Sequence, residues 1–492
     1  MVRATRQLTC VEPSDLSSGL PPTIWYMGAK TRVLPGFLDE VLLREAPRGS
    51  TVLDLFSGTG IVSAFCARHF RTLANDSQQF ARILAQSFIE HTREERDAFL
   101  ESLDWDRDLA TAYEENRQAL TEIYAAALEE ERALLDDVRG PVDEASSRSV
   151  KREPEQTAEA VGRYREFLTL PGTNYGDRDA SEIFRPAQSL LAESNLEGYR
   201  NDPHRRPYCL VTAYYTNCYF GLRQAIDIDS IRAAIDAMPG HDTLWERKRA
   251  HYLAALLHTA SVSTSGTSHF AQPRHIRKDS EIVAMTRRRL IDIVPAFLEA
   301  SREIQQVVQS TSYRHGNQAF CGDYRELIDE ESQGPVLRRD LEVELVYMDP
   351  PYTQDNYSRF YHVLETIADY DYPELERDAQ GAVLRGRYPL REKRFISGFC
   401  STRGVEEEFT FCLQAAANSG AGLVISYGSP GGLLLKVYET RYPGKDPVVR
   451  LEKLCRPYYR KVETLRRSIM HSGQGDRNIP SDELLVVCSR PK

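Results

Sequence analysis

The 492-residue chain is 41% hydrophobic and 27% charged, the balance of a globular protein long enough for two or three domains. Its net charge of −10 excludes a protein that coats nucleic acid through bulk positive charge, although a local basic face can still grip phosphates. No apolar run has transmembrane length, the N-terminus lacks a signal-peptide pattern, and the nine scattered cysteines contain no CxxC, so a cytoplasmic protein with reduced thiols, no membrane contact and no metal site is expected.

Residues 1–20 are polar and mixed and are expected to form a flexible arm. A turn at Trp25-Tyr26-Met27-Gly28-Ala29-Lys30 leads into Val33, Leu34, Phe37, Leu38, Val41 and Leu42, whose spacing predicts a helix. Thr51 to Gly60 reads as a strand running into a Gly-containing loop, followed by a helix from about Ile61 to His69. The glycines permit a tight turn and close approach of a ligand to backbone N–H groups. No Gly-Lys-Ser/Thr follows, which argues against a phosphate-cradling P-loop. The next apolar stretch ends in Asn75-Asp76, and an acid about 20 positions after a Gly loop is where nucleotide-binding α/β units bond ribose hydroxyls.

Residues 77–135 read as helical throughout, and 140–157, rich in Ser, Glu, Arg and Pro, as a mobile loop. Between 171 and 225, Tyr175, Tyr208, Tyr214, Tyr215, Asn217, Tyr219, Phe220 and Arg223 put rings and amides close together. Such a set suits base stacking and edge reading, and equally an aromatic helical core. Helices are expected at Ile231–Met238 and Trp245–His258, then a small polar loop containing Ser265. Arg274, Arg277, Lys278, Arg287, Arg288 and Arg289 make the strongest basic patch, read either as phosphate contacts or as a solvated helix face.

Val343 to Met348 reads as a buried strand that stops at Asp349-Pro350-Pro351-Tyr352, because neither proline has an N–H to continue a ladder. The stop places a carboxylate, rigid carbonyls and a ring at a strand end. An exocyclic amine of a base is a poor nucleophile. A carboxylate and a carbonyl accepting its hydrogens would localise its lone pair while the ring stacks on the extruded base. Farther on, Leu423 to Gly428 predicts another parallel strand, Arg456 to Arg467 a second basic, aromatic segment, and Glu483 to Cys488 a closing strand at the sheet edge.

Asp54-Leu55-Phe56-Ser57-Gly58-Thr59-Gly60 and Asp349-Pro350-Pro351-Tyr352 resemble the two signature motifs of DNA adenine-N6 methyltransferases, and Trp25 to Lys30 is similar to the N-terminal motif of the Dam-like (D12, or alpha) class. Where members usually carry two glycines before the Lys, this chain has Gly28-Ala29. Phe320-Cys321-Gly322-Asp323-Tyr324 is similar to the family segment whose acid faces the cofactor adenine.

The resemblance implies an α/β fold: a Rossmann-like, S-adenosylmethionine-dependent methyltransferase sheet of seven mostly parallel strands, with a large, mainly helical inserted recognition region. The catalytic domain would comprise 21–90 and 315–492, and the insert 91–314. S-adenosyl-L-methionine would contact Trp25, Tyr26, Gly28, Lys30, Asp54, Phe56, Ser57, Gly58, Thr59, Gly60, Asn75, Asp76, Asp323 and Tyr324. Asp349, Pro350, Pro351 and Tyr352 would be catalytic. Ser265 and the basic patch would contact double-stranded DNA. The implied activity is site-specific methylation of adenine N6 by base flipping. Cytosine N4, adenine in RNA, and a nucleic-acid-binding subunit that needs a partner protein from a restriction-modification or phage-defence system stay open as alternatives.

Overall fold

The computed structural model describes residues 21–492 apart from 23, 25, 27–29, 48, 145–153, 178, 267–268, 275, 277, 312–314 and 473–477. The expected arm at 1–20 and the middle of the expected loop at 140–157 lie outside the described residues. The chain forms two compact units: 1–98 with 304–357 and 395–492, and 99–303 with 358–394. The sequence reading keeps 315–492 together, whereas 358–394 goes with the second unit. Within that unit Tyr370 stacks on Tyr208, with ring centroids 4.8 Å apart, and Tyr372 on Tyr199 at 4.9 Å.

The first unit is built on a seven-stranded sheet. Its strands are β1 (Thr51–Asp54), β2 (Arg71–Asp76), β3 (Gln318–Cys321), β4 (Leu345–Met348), β5 (Gly422–Ser429), β6 (Tyr459–Ser472) and β7 (Asn478–Pro491), in the order β3-β2-β1-β4-β5-β7-β6. The pairings from β3 to β5 are parallel; β5–β7 and β7–β6 are antiparallel. This is the seven-stranded, mostly parallel α/β sheet that the family resemblance implies.

Side chains alternate across a strand, so a sheet covered on both faces needs apolar residues at every position. Leu53, Val346, Met348 and Ile425 pack into one core, and Val52, Leu345, Tyr347 and Val424 into the other. The latter core also holds Leu38, Val41 and Leu42, contributed by or next to α1 (Asp39–Glu45), and Ile61, Val62 and Phe65 of α2 (Ile61–Cys66). That double burial explains the uninterrupted apolar runs of β1 and β4.

Three expectations change. The helix expected from Val33 starts only at Asp39, because Pro35 has ψ 124° and Gly36 has φ 68°. The segment from Arg456 becomes edge strand β6 from Tyr459, with Leu465 buried and Arg460, Lys461 and Arg466 exposed, a charged edge that resists further pairing. Glu483 to Cys488, expected at the sheet edge, is inside it, because β6 pairs along the outer side of β7.

The second unit is mainly helical. Ala110–Ile123, Ala125–Glu144, Leu222–Ala237 and Thr243–Ser263 are its long elements, with Pro154–Leu168 and Asp279–Arg289. The ends of the expected loop at 140–157 are therefore helical, because Leu134, Leu135 and Val138 anchor one helix and Val161, Tyr164 and Phe167 the other. The helices read from 77–135 are present, and the insert packs into its own unit: Glu131 accepts the backbone N–H groups of Leu222 (2.8 Å) and Arg223 (2.9 Å), capping the helix they open. The aromatic stretch is core. Tyr214, Tyr215, Tyr219 and Phe220 are fully buried, and the three hydroxyls donate to Pro373 O, Thr366 Oγ1 and Phe270 O.

Candidate active site

Parallel pairing brings the carboxyl ends of β1, β2 and β4 side by side, with Asp54 opposite Ala74 and Tyr347. Ligands of open α/β sheets bind at such ends. After β1 the chain turns sharply: Ser57 N–H donates to Asn75 O (2.8 Å) and Gly60 N–H to Ser57 O (2.8 Å). Gly58 has φ +50°, and a Cβ there would sit 3.0 Å from Tyr26 Cε1, so the turn requires glycine. Gly60, at φ +74°, serves packing instead: a Cβ would meet Ala85 Cα and the Phe88 ring at 3.1 Å, in α3 (Gln79–Ile89).

Asp76, ending β2, accepts Gly58 N–H at 2.9 Å and Gln78 N–H at 3.0 Å, which ties the Gly loop to the neighbouring strand. Asn75 donates from Nδ2 to Leu55 O and Gly322 O, both at 3.4 Å. Burial pushes the Asp76 carboxyl up to about 6, against the pull of these N–H groups. Asp54 is 1% exposed; its Oδ2 accepts the Ser63 hydroxyl at 2.6 Å, while Oδ1 has no hydrogen-bond partner. Burial pushes it up to about 7, with Asp349 and Asp76 adding to the effect of burial and Ser63 opposing it.

Asp349 leaves the end of β4. Lys30 Nζ lies 2.7 Å from its Oδ2 and 3.4 Å from Glu483 Oε1. Asp349 Oδ1 is buried and has no hydrogen-bond partner. Burial raises the Asp349 carboxyl, Lys30 opposes the rise and Glu483 adds to it. Burial works against the Lys30 charge, but Asp349 and Glu483 together hold its pKa above the usual lysine value. Tyr352 is fixed through its backbone, Leu433 N–H donating to its carbonyl at 2.8 Å, and its ring lies 5.7 Å from Lys30 Nζ.

These elements enclose a cleft of about 830 Å³ including its open mouth. Of the sequence-predicted cofactor and catalytic residues, Tyr26, Lys30, Asp54, Phe56, Ser57, Gly58, Thr59, Asn75, Asp76, Tyr324, Asp349, Pro350, Pro351 and Tyr352 line it. Asp323 and Gly60 do not: Asp323 caps the turn Tyr324–Leu327 by accepting Arg325 N–H at 3.0 Å. Trp25 and Gly28 lie outside the described residues. Gly322, Tyr347, Phe395 and Ser397 also line the cleft, and the sequence reading did not assign them to it. Among the described residues no cluster of His, Cys, Asp or Glu could hold a metal, and no helix is long and apolar enough to cross a membrane.

The DNA-contact set of the second unit divides in two. Ser265 and Arg289 are each 1% exposed; Arg289 donates to Asn217 Oδ1 at 2.7 Å, and Ser265 to Tyr219 O at 2.9 Å. Both are structural, since a phosphate contact needs an exposed donor. Arg274 and Arg288 donate to the carbonyls of Gly266 (3.1 Å) and Val262 (2.8 Å), bracing the segment between them. Lys278 and Arg287 are exposed, and Arg277 lies outside the described residues.

Comparison with known proteins agrees with this geometry. The sequence pattern of the family described as "D12 class N6 adenine-specific DNA methyltransferase" matches residues 26–147 and 325–384. The Modification methylase LlaI of Lactococcus lactis subsp. lactis is 23% identical over 390 residues, 78% of this chain and 43% of that protein. The Type II methyltransferase M.FokI of Planomicrobium okeanokoites is 25% identical over 263 residues, 52% of this chain and 35% of that protein. The chain thus spans less than half the length of either relative. With its Gly loop and its Asp-Pro-Pro-Tyr turn at adjacent strand ends of one cleft, the chain is similar, over those two matched segments, to the D12 class of N6 adenine-specific DNA methyltransferases.

Proposed function

We propose that the protein transfers a methyl group from S-adenosyl-L-methionine to N6 of adenine at a specific site in double-stranded DNA. The observation that carries this reading is the Asp349 carboxylate: one oxygen is tied to Lys30, and the other is buried without a partner beside Pro350, Pro351 and Tyr352. A buried acceptor with no donor is costly unless a ligand supplies one. An exocyclic amine brings two N–H groups, for Asp349 Oδ1 and the Pro350 carbonyl. The Tyr352 ring offers the stacking face that a flipped base needs. The names of the two relatives, a modification methylase and a type II methyltransferase, support action at a defined sequence.

The lining suits the cofactor. Asp54 Oδ1 and Ser57 Oγ are buried polar atoms without partners, and the cationic sulfonium and ammonium of a bound cofactor would favour the ionised forms of Asp54, Asp76 and Asp349, which burial alone disfavours. Asp76 would accept from ribose hydroxyls, Gly58 and Ser57 would allow close approach, and Tyr324 would border the adenine. Bound S-adenosylmethionine would supply an electrophilic methyl and its own leaving group. The chain's residues orient the amine and keep water out.

Transfer of labelled methyl to unmethylated genomic DNA, followed by nucleoside analysis, tests the reading. N6-methyladenine is expected, and Asp349→Ala should lose the signal by roughly 10²–10³-fold, the scale of removing one preorganised partner of a reacting group. Calorimetric binding of S-adenosylhomocysteine should survive in that variant. Label in N4-methylcytosine, or in RNA alone, would change the substrate, and near-normal activity of Asp349→Ala would remove the proposed chemistry.

A further inference from the structure

Glu483 belongs to no motif, yet it reaches the centre of the site. It lies on β7 opposite Gly428 of β5. Residues two apart on a strand share a face, so Ser426 lies on the same side, diagonal to Glu483. Ser426 Oγ donates to Glu483 Oε1, and the two residues are 0% and 3% exposed. A carboxylate so deeply buried requires a counter-charge. Its partner is Lys30 Nζ at 3.4 Å, the same ammonium that lies 2.7 Å from Asp349 Oδ2. One cation therefore stands between two carboxylates, anchored from the antiparallel end of the sheet.

We infer that Glu483 is a positioning residue for the methyl-transfer reaction: held by Ser426, it fixes Lys30, and Lys30 holds Asp349 by Oδ2 so that Oδ1 is left for the substrate amine. The inference rests on the function proposed above. The geometry explains why a lysine with a flexible four-carbon stem can act as a fixed post. Two acceptors on different strands, β7 and the end of β4, constrain its ammonium, where one would leave it free to swing.

The arrangement also sets the charge around Asp349. The groups facing it are Lys30, Glu483, Tyr347 and Tyr352, and it interacts with Asp54 across the cleft. Glu483 is the like charge that works with burial against ionisation of Asp349, while Lys30 works for it. Removing the Glu483 charge should make Asp349 ionise at lower pH, and should also loosen Lys30.

Glu483→Gln keeps the shape and can keep the Ser426 hydrogen bond. Two readouts apply. In the ligand-free protein, carbon-13 NMR of labelled aspartate carboxyls, with the Asp349 signal assigned by its loss in Asp349→Asn, should show the Asp349 midpoint lower by about one pH unit. In the active enzyme the acid limb of the kcat profile should move the same way. At its plateau kcat should fall roughly tenfold or more from misplacement, with KM for DNA and affinity for S-adenosylhomocysteine unchanged. Ser426→Ala, which keeps all charges and removes the anchor, should lower kcat without moving the Asp349 midpoint. An unchanged midpoint with wild-type kcat in Glu483→Gln would overturn the inference. So would parallel losses of cofactor affinity, KM and melting temperature, the mark of a merely structural role. If Glu483→Gln fails to fold, Ser426→Ala decides by the same kcat-against-KM split. If the wild type methylates no nucleic acid, the proposed function fails, and the Asp349 midpoint alone decides whether Glu483 governs that carboxylate.

Discussion

Lys30 Nζ and Asp349 Oδ2 stand 2.7 Å apart, with the lysine 5% and the aspartate 16% exposed, so the proposed reacting carboxylate is half of a buried ion pair. Such a pair is weak evidence for stability, but removing one partner strands the other. Lys30→Met would leave Asp349 and Glu483 buried with no cation between them. The expected loss is about 3–5 kcal/mol of folding stability, together with methyl transfer. Adding Asp349→Asn should restore part of that stability and none of the activity. Urea titration of the wild type, both single variants and the double variant measures this. Equal stability of Lys30→Met and wild type would show that the pair carries no such coupling.

Gly58 ties the cofactor loop to Asp76 and lies under Tyr26. At φ +50° a side chain is strained by about 1–2 kcal/mol, and a Cβ 3.0 Å from Tyr26 Cε1 must displace the ring. Gly58→Val should abolish calorimetric binding of S-adenosylhomocysteine while far-UV circular dichroism stays that of the wild type. Retained affinity would place the cofactor away from this loop.

Asp54 gives a pH dependence whose sign follows from burial. Its folded-state value is about 7 against an ordinary 3.8, so the fold favours the neutral carboxyl. The associated stability is fully present below pH 3.8 and is lost as pH rises through 7. A shift of about three units corresponds to a penalty on the order of 4 kcal/mol above that range. Asp54→Asn removes the ionisation. Its stability relative to wild type should therefore rise between pH 4 and pH 7 and level off above. A difference that stays constant across that range would mean that Asp54 is charged in the fold at little cost.

What the sequence made legible was local. Thr51 to Gly60 and Val343 to Tyr352 each carry an apolar run, a stop and chemistry-bearing residues within a dozen positions, so strand, turn and site could be read together. The parallel sheet came from the family resemblance, which implies that those two stops lie at adjacent strand ends. What escaped depended on distant partners. Arg289 looks like its neighbour Arg288, and only the fold shows that Asn217 and Ser265 bury it. Asp323 resembles a cofactor ligand, but Arg325 N–H, two residues on, claims it as a cap. Glu483 has no flanking pattern at all, and its role depends on a lysine more than 400 residues away and on a strand pairing the sequence reading put at the edge. Tyr214, Tyr215 and Tyr219 were ambiguous because stacking on a base and packing in a core need the same residues. Their hydroxyls, bonded to Pro373, Thr366 and Phe270, settle it for the core.

The split within the basic patch separates two kinds of arginine effect. Lys278 and Arg287 are exposed, and if they contact phosphates, each contributes one released counterion to binding. Replacing either by Ala should weaken binding of specific and unrelated duplexes alike and reduce the salt slope of log affinity by about 1. Arg289 is buried against Asn217, Tyr164 and Ser265. Arg289→Ala should leave those groups unpartnered and lower the melting temperature, with an unchanged salt slope in the fraction that stays folded. Fluorescence anisotropy across a salt series, beside a thermal melt of each variant, distinguishes the two. A reduced slope for Arg289→Ala at wild-type stability would mean that the arginine leaves its buried position to meet DNA, and an unchanged slope for Lys278→Ala and Arg287→Ala would move the phosphate-binding face elsewhere on the protein.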